Sequence, residues 1–270
     1  MKSNGFGLKT YAILYLVFLY APIVLLPLFA FNDATIISFP LRGFTTKWFE
    51  AMAADTTLRT ALTNSLIVAV TSAVAATVLG IFAARASTRY DFRGKGPIMG
   101  LIMLPLVLPD ILISLSLLMV LLGVGFTLNL GTVIMGHTLV CTPFAIAILT
   151  ASFNSLDRSL EEAAYDLGEG KWSTFRLVIL PLVTPGIVSA LLISFTISLD
   201  EFIIAFFLAG NQVTLPVYIY SMLRFPKNIP VIMALGTLLV AFSIILLTLA
   251  EYYRRRGIAK TGGKDTGGFL

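Results

Sequence analysis

The sequence predicts an all-α membrane protein with six transmembrane helices. Hydrophobic residues make up 57% of the chain and charged residues only 12%, about half the charged share of an average globular domain. The mean hydropathy of +0.93 is typical of a chain that is surrounded mainly by lipid. Six apolar runs are long enough to cross the bilayer as helices, which takes about 20 residues each. These runs are 10–31, 58–86, 98–123, 131–153, 184–208 and 230–253.

The apolar runs are better explained by helices than by membrane-spanning strands. A spanning strand has about 9–11 residues and alternates between apolar and polar positions, and none of the runs follows that pattern. The first run contains Pro22 and Pro27, which are tolerated in membrane helices. It is too long for the core of a signal peptide, and no small-residue cleavage site follows it. We therefore expect the first run to be retained as a span.

Lysine and arginine are distributed unevenly between the two sides of the predicted bundle. Fourteen of the 19 lie in or beside the terminal segments and the connections after the second and fourth runs, which we call the basic side. The opposite side holds Arg42, Lys47, Arg59, Arg224 and Lys227. Because lysine and arginine accumulate in cytoplasmic loops, we expect the basic side and both termini to be cytoplasmic. The transmembrane domain would comprise residues 1–257, followed by a glycine-rich, disordered cytoplasmic tail over 258–270.

Several functions are excluded because the chain has only one cysteine and one histidine and lacks a complete phosphate-binding motif. The net charge of +5 comes from short basic clusters between apolar runs, which indicates membrane topology and not a nucleic-acid partner. A single cysteine, Cys141, and a single histidine, His137, leave no disulfide framework and no zinc-ligand spacing. Gly170-Lys171-Trp172 lacks the Ser or Thr that follows the lysine of a phosphate-binding loop. We therefore expect no catalytic residue, bound cofactor or metal in this chain, and a packing role for His137.

The connection between the fourth and fifth runs, residues 154–183, is long and charged. Ser159 and Glu162 have the spacing of a capping box, which predicts a helix that begins near Leu160. Gly168 is suited to end this helix, because glycine readily adopts the left-handed C′ conformation. A chain can be threaded through a bilayer without such a segment. It is therefore either a docking element for a partner or a solvated helix that connects two spans.

Three carboxylic acids interrupt the apolar runs: Asp110 in the third run, and Asp200 and Glu201 in the fifth. Ionisable groups at membrane depth are costly and usually mark a transport pathway. With a rise of 1.5 Å per residue, Asp110 and Asp200 would each lie about 20 Å along a continuous helix, in the half of the bilayer away from the basic side. Together with Ser198, the three acids form a candidate pathway for a small organic cation, whose ammonium groups would exchange water for carboxylates and hydroxyls.

A structural role for the same acids remains the alternative. Pro109 stands beside Asp110, so this carboxylate would then cap a kink or pair with a neighbouring helix. Consecutive helical residues point about 100° apart, so we expect only one of Asp200 and Glu201 to face the pathway. The other acid would pair with a neighbouring helix.

The connection 154–183 resembles the EAA loop of the permeases of ABC importers. The shared pattern is Glu-Ala-Ala, Gly four residues later and a final Leu-Pro, with Val178 where the family has isoleucine. The resemblance implies the ABC type I importer permease fold, and it implies that this loop couples the chain to an ATPase subunit. The coupling residues would be Glu162, Ala163, Ala164, Gly168, Leu180 and Pro181.

Three further segments, 105–110, 198–201 and 214–218, resemble the second permease of spermidine/putrescine importers, which has Asp-Asp where this chain has Asp200-Glu201. The resemblance implies half of a pore for a polyamine such as putrescine or spermidine in the bacterial inner membrane. The expected partners are a dimer of ATPase subunits that carries ATP and Mg²⁺, a second homologous permease and a periplasmic solute-binding protein. The open alternatives are a permease for an opine, an amino acid or another small organic solute, a homodimeric permease, and a stand-alone channel or secondary carrier.

Overall fold

The structure is a computed structural model that describes residues 5–261, and helices are the regular elements of this range. The α-helices of the described range are α1 (Gly5–Ala30), α2 (Lys47–Ala54), α3 (Thr56–Arg89), α4 (Lys95–Met103), α5 (Asp110–Gly123), α6 (Leu130–Asn154), α7 (Ser159–Asp166), α8 (Lys171–Thr174), α9 (Leu180–Asp200), α10 (Ile203–Leu208), α11 (Leu215–Leu223) and α12 (Ile229–Thr261). Short 3₁₀ turns at Leu104–Leu106 and Pro226–Asn228 and a π-helical segment at Phe175–Ile179 adjoin them. The predicted all-α class is confirmed.

The described residues contain five helical segments that are long and apolar enough to cross a membrane. They are Gly7–Ala30, Thr56–Arg89, Leu130–Asn154, Lys171–Asp200 and Pro226–Ile245. A sixth span is formed if the bent pair Lys95–Leu106 and Asp110–Gly123 is counted as one. The six predicted spans are therefore present, and the third is broken.

The third predicted run does not form the continuous helix expected over 98–123. The helical segment that ends at Leu106 and the one that begins at Asp110 meet at an angle of 107°. Pro105 and Pro109 explain the break, because a proline has no N–H to donate to the preceding turn and its ring clashes with that turn. Pro109 itself is extended, with φ −59° and ψ 134°. The continuous helix from which the depth of Asp110 was predicted is therefore not formed, and the depth itself stays a prediction.

The fifth predicted run, 184–208, begins earlier than expected and is also interrupted. The chain is helical from Lys171, through the π-helical segment, to Asp200. Glu201 is extended, with φ −68° and ψ 114°. Its carboxylate accepts the N–H of Ile204 at 3.0 Å, which supplies a partner for a backbone donor at the start of α10. The interruption therefore has a side-chain cause and needs no proline.

The chain divides into two compact units. Within the described range the first comprises residues 5–56 and 219–261, and in it α1 and α2 pack against α12. Helix α12 continues to Thr261, past the predicted start of the tail, and residues 262–270 lie outside the described range. The second unit comprises residues 57–218 and contains both groups of predicted site residues.

Helix α6 is the central packing element of the second unit, where it contacts α9 and α10. One cluster of buried side chains, which includes Val133 and Ile204, packs α10 against α5 and α6. A second cluster, which includes Phe153 and Val183, packs α6 against the first half of α9. The first cluster fixes the position of α10, and Glu201 lies just before that helix.

Helices α6 and α10 approach each other closely at Gly136. A Cβ atom at this position would lie 2.5 Å from Cγ2 of Ile204 and 3.0 Å from Cδ1 of Leu208, and both of those side chains are fully buried. Small residues allow membrane helices to approach in this way.

We expect Gly136→Val to lower the thermal unfolding midpoint of the detergent-purified protein by roughly 2–10 °C, because overpacking costs about 1–3 kcal/mol. The matched control is Gly100→Val in α4, where a Cβ would meet nothing within 4 Å. Equal midpoints for the two variants would contradict the close packing at Gly136.

Candidate functional site

The acidic group of the site lies where α5 and α10 pack together. Asp110 is the first residue of α5, and Glu201 lies in the break immediately before α10. Both residues are half-buried, and each lies at or just before the start of one of two helices that pack against each other. The structure therefore brings together two predicted acids from different spans.

The Glu201 side chain is held in place by the backbone at the start of α10. Its Oε1 atom accepts the N–H of Ile204 at 3.0 Å. The rings of Phe202 and Phe206 follow, with centroids 5.4 Å apart, and Phe206 is exposed. Ammonium groups bind to carboxylates by charge and to aromatic faces by cation–π attraction. A fixed carboxylate followed along the chain by one exposed aromatic ring, that of Phe206, provides both kinds of group that bind an organic ammonium ion.

The other two predicted pathway residues are placed differently. Asp200 is the last residue of α9 and is exposed. Ser198 is buried, and its Oγ atom lies 2.7 Å from Nδ1 of His137, so this hydrogen bond joins α9 to α6. It gives His137 the hydrogen-bonded packing position that the sequence predicts. Asp200 ends α9 and is exposed, whereas Glu201 has an extended backbone and is half-buried. That only one of the two acids faces a pathway stays a prediction.

The connection 154–183, which we call the coupling segment, contains the predicted helix, α7, but this helix does not begin with the predicted capping box. Ser159 lies inside α7 as its first residue and so does not cap it. The N–H of Ser159 instead donates to Oδ1 of Asp157 at 3.0 Å. Hydrogen bonds from Ser159 lower the pKa of Asp157 below its ordinary value, because they stabilise the charged carboxylate. The predicted capping box of Ser159 and Glu162 is therefore wrong.

The end of α7 has the geometry predicted for a glycine. Gly168 has a φ of +89°, in the left-handed region. Its N–H donates to the carbonyl of Tyr165 at 2.9 Å, and the N–H of Glu169 donates to the carbonyl of Ala164 at 3.0 Å. These are the two hydrogen bonds of a Schellman motif. Gly168 therefore sets the direction in which the chain leaves α7, and a side chain at this position would be strained.

The outer face of α7 combines small residues with one large apolar side chain at its end. Glu162 and Ala163 are exposed, and Ala164 is buried against the protein. Leu167 is 85% exposed, immediately before Gly168. Leu167 was not predicted as a site residue, although it stands inside the Glu-Ala-Ala to Gly spacing. An exposed leucine at the end of a helix is available for contact with a partner.

The Leu-Pro end of the coupling segment forms the start of α9. Leu180 is half-buried and Pro181 is exposed. The N–H of Leu180 donates to the carbonyl of Phe175, five residues earlier, which is the spacing of a π-helix. Pro181 has no N–H to donate to the preceding turn. The motif therefore ends in an irregular turn that joins α8 to α9 without interrupting the helix.

A comparison with protein families assigns the chain. Residues 76–258 match the model of the family described as binding-protein-dependent transport system inner membrane component. The chain belongs to this family. It is a permease subunit of a transporter and not an enzyme, and it is a multi-pass protein of the inner membrane. The matched range contains both the acidic group and α7.

Relatives align with nearly the whole permease. It is 32% identical over 264 residues to the spermidine/putrescine transport system permease protein PotC of Shigella flexneri, and the alignment covers 97% of each chain. It is 35% identical over 247 residues to the putrescine transport system permease protein PotI of Escherichia coli (strain K12), covering 88% of this chain and 87% of that one. These identities support the resemblance that the sequence motifs indicated.

A solved structure has the same fold as the permease. It is a bacterial ABC transporter involved in the import of the acidic polysaccharide alginate, and the chain compared superimposes with a TM-score of 0.75. The match covers 94% of the permease and 99% of that chain, at 16% sequence identity. The predicted importer-permease fold is therefore confirmed. Identity this low shows the fold and carries no information on the solute.

The permease also holds α7 through an ion-pair cluster that was not predicted from the sequence. Arg85 donates from Nη1 to Oε1 of Glu161 at 2.9 Å and from Nη2 to Oε2 at 2.5 Å. Nη2 of Arg89 lies 2.7 Å from Oε1 of the same carboxylate. The hydrogen bonds from Arg85, with the charges of both arginines, lower the pKa of Glu161 below its ordinary value of 4.5. We call these three residues the arginine clamp.

The arginine clamp makes the attachment of α7 sensitive to acid. Because the pKa of Glu161 is lower in the folded permease, the clamp contributes its full stabilisation above pH 4.5 and loses it as the pH falls through the lowered value. We therefore expect the α7 amides to exchange hydrogen more slowly in the wild type than in Glu161→Gln at neutral pH, and this difference to vanish in strong acid. At each pH, the exchange rate of the α7 amides in Glu161→Gln is divided by the rate in the wild type, because this ratio cancels the intrinsic pH dependence of exchange. A ratio that stays constant down to about pH 2 would contradict the prediction.

Proposed function

We propose that the permease forms half of the pore of an ATP-driven importer for polyamines such as putrescine and spermidine. Two relatives that carry spermidine and putrescine in their names align with most or nearly all of its length. The observation that carries the proposal is the acidic group of Asp110 and Glu201, which is seen in this chain and does not depend on the names of its relatives.

The acidic group matches the chemistry of a polyamine. Such a solute carries at least two ammonium groups, and carboxylates on two helices that pack together can replace the water around them with charge-assisted hydrogen bonds. The exposed ring of Phe206, which packs against the ring of Phe202 next to Glu201 in the chain, offers an aromatic face for cation–π contact. A neutral or anionic solute would leave the paired carboxylates uncompensated. Asp110 and Glu201 are therefore the proposed solute contacts, and Ser198 and Asp200 are peripheral to them.

ATP-driven movement enters the permease through α7. Its exposed Glu162, Ala163 and Leu167 would contact a subunit of an ATPase dimer, which binds ATP and Mg²⁺. Ala164 anchors α7 to the permease, and Gly168 fixes its exit. Leu180 and Pro181 start the helix that leads to the acidic group, so movement of α7 is transmitted along α9.

The distribution of charge sets the topology of the assembly. The basic side, with both termini and α7, faces the cytoplasm, because lysine and arginine are retained there. The family description, binding-protein-dependent, supports delivery of the solute by a periplasmic binding protein to the opposite side. A second homologous permease completes the pore, so that each chain supplies one wall.

The test is ATP hydrolysis by the complex reconstituted in lipid with its binding protein, titrated with putrescine, spermidine, an opine and a neutral amino acid. We expect stimulation by the polyamines and little by the others. Stimulation by the opine or the amino acid alone would overturn the polyamine assignment and leave the importer assignment intact. Uptake that proceeds without any ATPase subunit would overturn both, because it would make the permease a channel or a secondary carrier.

A further inference from the structure

Helix α7 has two functional faces. Glu161 and Ala164 are three residues apart, so they share the face that is turned toward the permease. Glu162 and Ala163 are exposed on the other side. The face proposed to dock on the ATPase is therefore different from the face that ties α7 to the rest of the chain. This difference allows the two roles to be separated by mutation.

The face of α7 that is turned toward the permease is held at a defined distance from α3 and in a defined orientation. The guanidinium group of Arg85 donates through two nitrogens to the two oxygens of Glu161, at 2.9 and 2.5 Å, and Arg89 binds the same carboxylate. The three side chains are only 11–13% exposed. A bidentate arginine–carboxylate pair resists rotation in a way that a single contact does not. Helix α7 is therefore attached rigidly to the end of α3.

The charges of Arg85 and Arg89 are compensated by the Glu161 carboxylate only while α7 is in place. Arg85 and Arg89 are four residues apart on α3, so their like charges repel unless a carboxylate lies between them. The arginines stand in the last turns of α3 and Glu161 in the first turn of α7, positions that the two helix dipoles favour. Displacement of α7 alone would expose two uncompensated arginines. The lower-energy response is that α3 moves with α7.

Helix α3 reaches from the arginine clamp to the opposite end of the second unit. Its 34 residues span about 50 Å, and they include no proline. Near the far end, Nδ2 of Asn64 donates to the carbonyl of Val213 at 2.9 Å, and the N–H of Leu215 donates to Oγ of Ser65 at 2.8 Å. Those bonds hold the segment that follows α10, the helix at whose start Glu201 lies. Helix α3 therefore links α7 to the segment that follows α10.

We propose that the arginine clamp couples α7 to α3, so that α3 is a second route, beside α9, by which movement driven by the ATPase reaches the segment after α10. This inference rests on the proposed function, in which α7 docks on an ATPase. Glu161, Arg85 and Arg89 are positioning residues, since they act through α3 and touch neither the solute nor ATP. Their loss uncouples hydrolysis from transport and leaves docking intact.

The experiment compares variants of the reconstituted complex with its binding protein and a polyamine. Glu161→Gln keeps the size of the side chain and removes the charge, and Arg85→Lys keeps the charge and removes the bidentate geometry. We expect both complexes to retain the ATPase subunits and to hydrolyse ATP, with uptake per ATP hydrolysed lowered about 5-fold or more. The double variant Arg85→Glu, Glu161→Arg, in which the two charges are swapped, should recover part of the uptake per ATP hydrolysed. Asp91→Asn is the control, because it removes the exposed Lys95–Asp91 pair at 3.1 Å, and its ratio should match the wild type.

The outcomes distinguish coupling of α7 to α3 by the arginine clamp from a purely structural role of the same residues. Unchanged uptake per ATP in Glu161→Gln and Arg85→Lys would overturn the proposed coupling through α3. Loss of the ATPase subunits from both variants would also overturn it, because the clamp would then serve only to present the docking face. A wild-type permease that fails to bind any ATPase would instead sink the proposed function. That result is visible before any variant is made.

Discussion

Glu201→Gln is expected to reduce polyamine uptake about 10- to 100-fold, for the loss of one charge-assisted hydrogen bond of about 1.5–3 kcal/mol. The amide oxygen of glutamine can still accept the N–H of Ile204, which Glu201 now binds at 3.0 Å, so the start of α10 should keep its conformation. The change therefore isolates the negative charge beside Asp110. The measurement is uptake of labelled putrescine into proteoliposomes that contain the whole complex and ATP.

Asp200→Asn is the matched control for this prediction. It removes the same charge from the adjacent residue, which is exposed at the end of α9. Uptake should remain close to that of the wild type, and Asp110→Asn should resemble Glu201→Gln. If Asp200→Asn abolished uptake and Glu201→Gln did not, Asp200 would be the pathway acid and the acidic group would have a structural role.

The spans could be predicted from the sequence because the bilayer imposes a length on every helix that crosses it. The breaks inside two of them could not be placed by the same argument. Pro105 and Pro109 lie within a run that is long and apolar enough to cross the membrane, and hydropathy alone does not distinguish a tolerated proline from a break of 107°. The break at Glu201 depends on a hydrogen bond to the N–H of Ile204, and so on the direction of one side chain.

In the connection 154–183, the end of α7 was predictable for a different reason. The position of Gly168 follows from the conformational freedom of a glycine, which is a property of the residue itself. The arginine clamp joins Arg85 to Glu161 across 76 residues, and nothing in the local sequence selects that partner. Ser198, a predicted pathway residue, likewise forms a hydrogen bond with His137 across 61 residues. Pairings of this kind depend on how the helices pack, and single-sequence patterns do not encode them.

Leu167→Asp is expected to weaken binding of the ATPase subunits about 30- to 1000-fold. Leu167 is 85% exposed at the end of α7, where it would be the largest apolar group on the docking face. Removing a central apolar anchor costs about 2–4 kcal/mol, and an aspartate would also have to be desolvated beside Glu162 and Asp166. The measurement is the amount of ATPase that co-purifies with the tagged permease from a strain that expresses both.

Val124→Asp is the control that separates docking from solubility or expression. Val124 is 70% exposed in the loop after α5, on the side opposite to the basic side, so the same substitution there should leave ATPase binding unchanged. If both variants lost the ATPase, the effect would be one of general destabilisation. If Leu167→Asp retained it, the contact would be made by the small face of Glu162 and Ala163 alone, and α7 would dock through close approach of its backbone. In either case hydrogen exchange of α7 in the purified variant distinguishes a lost contact from a melted helix, because the Schellman bonds at Gly168 protect its last turn only while the helix is formed.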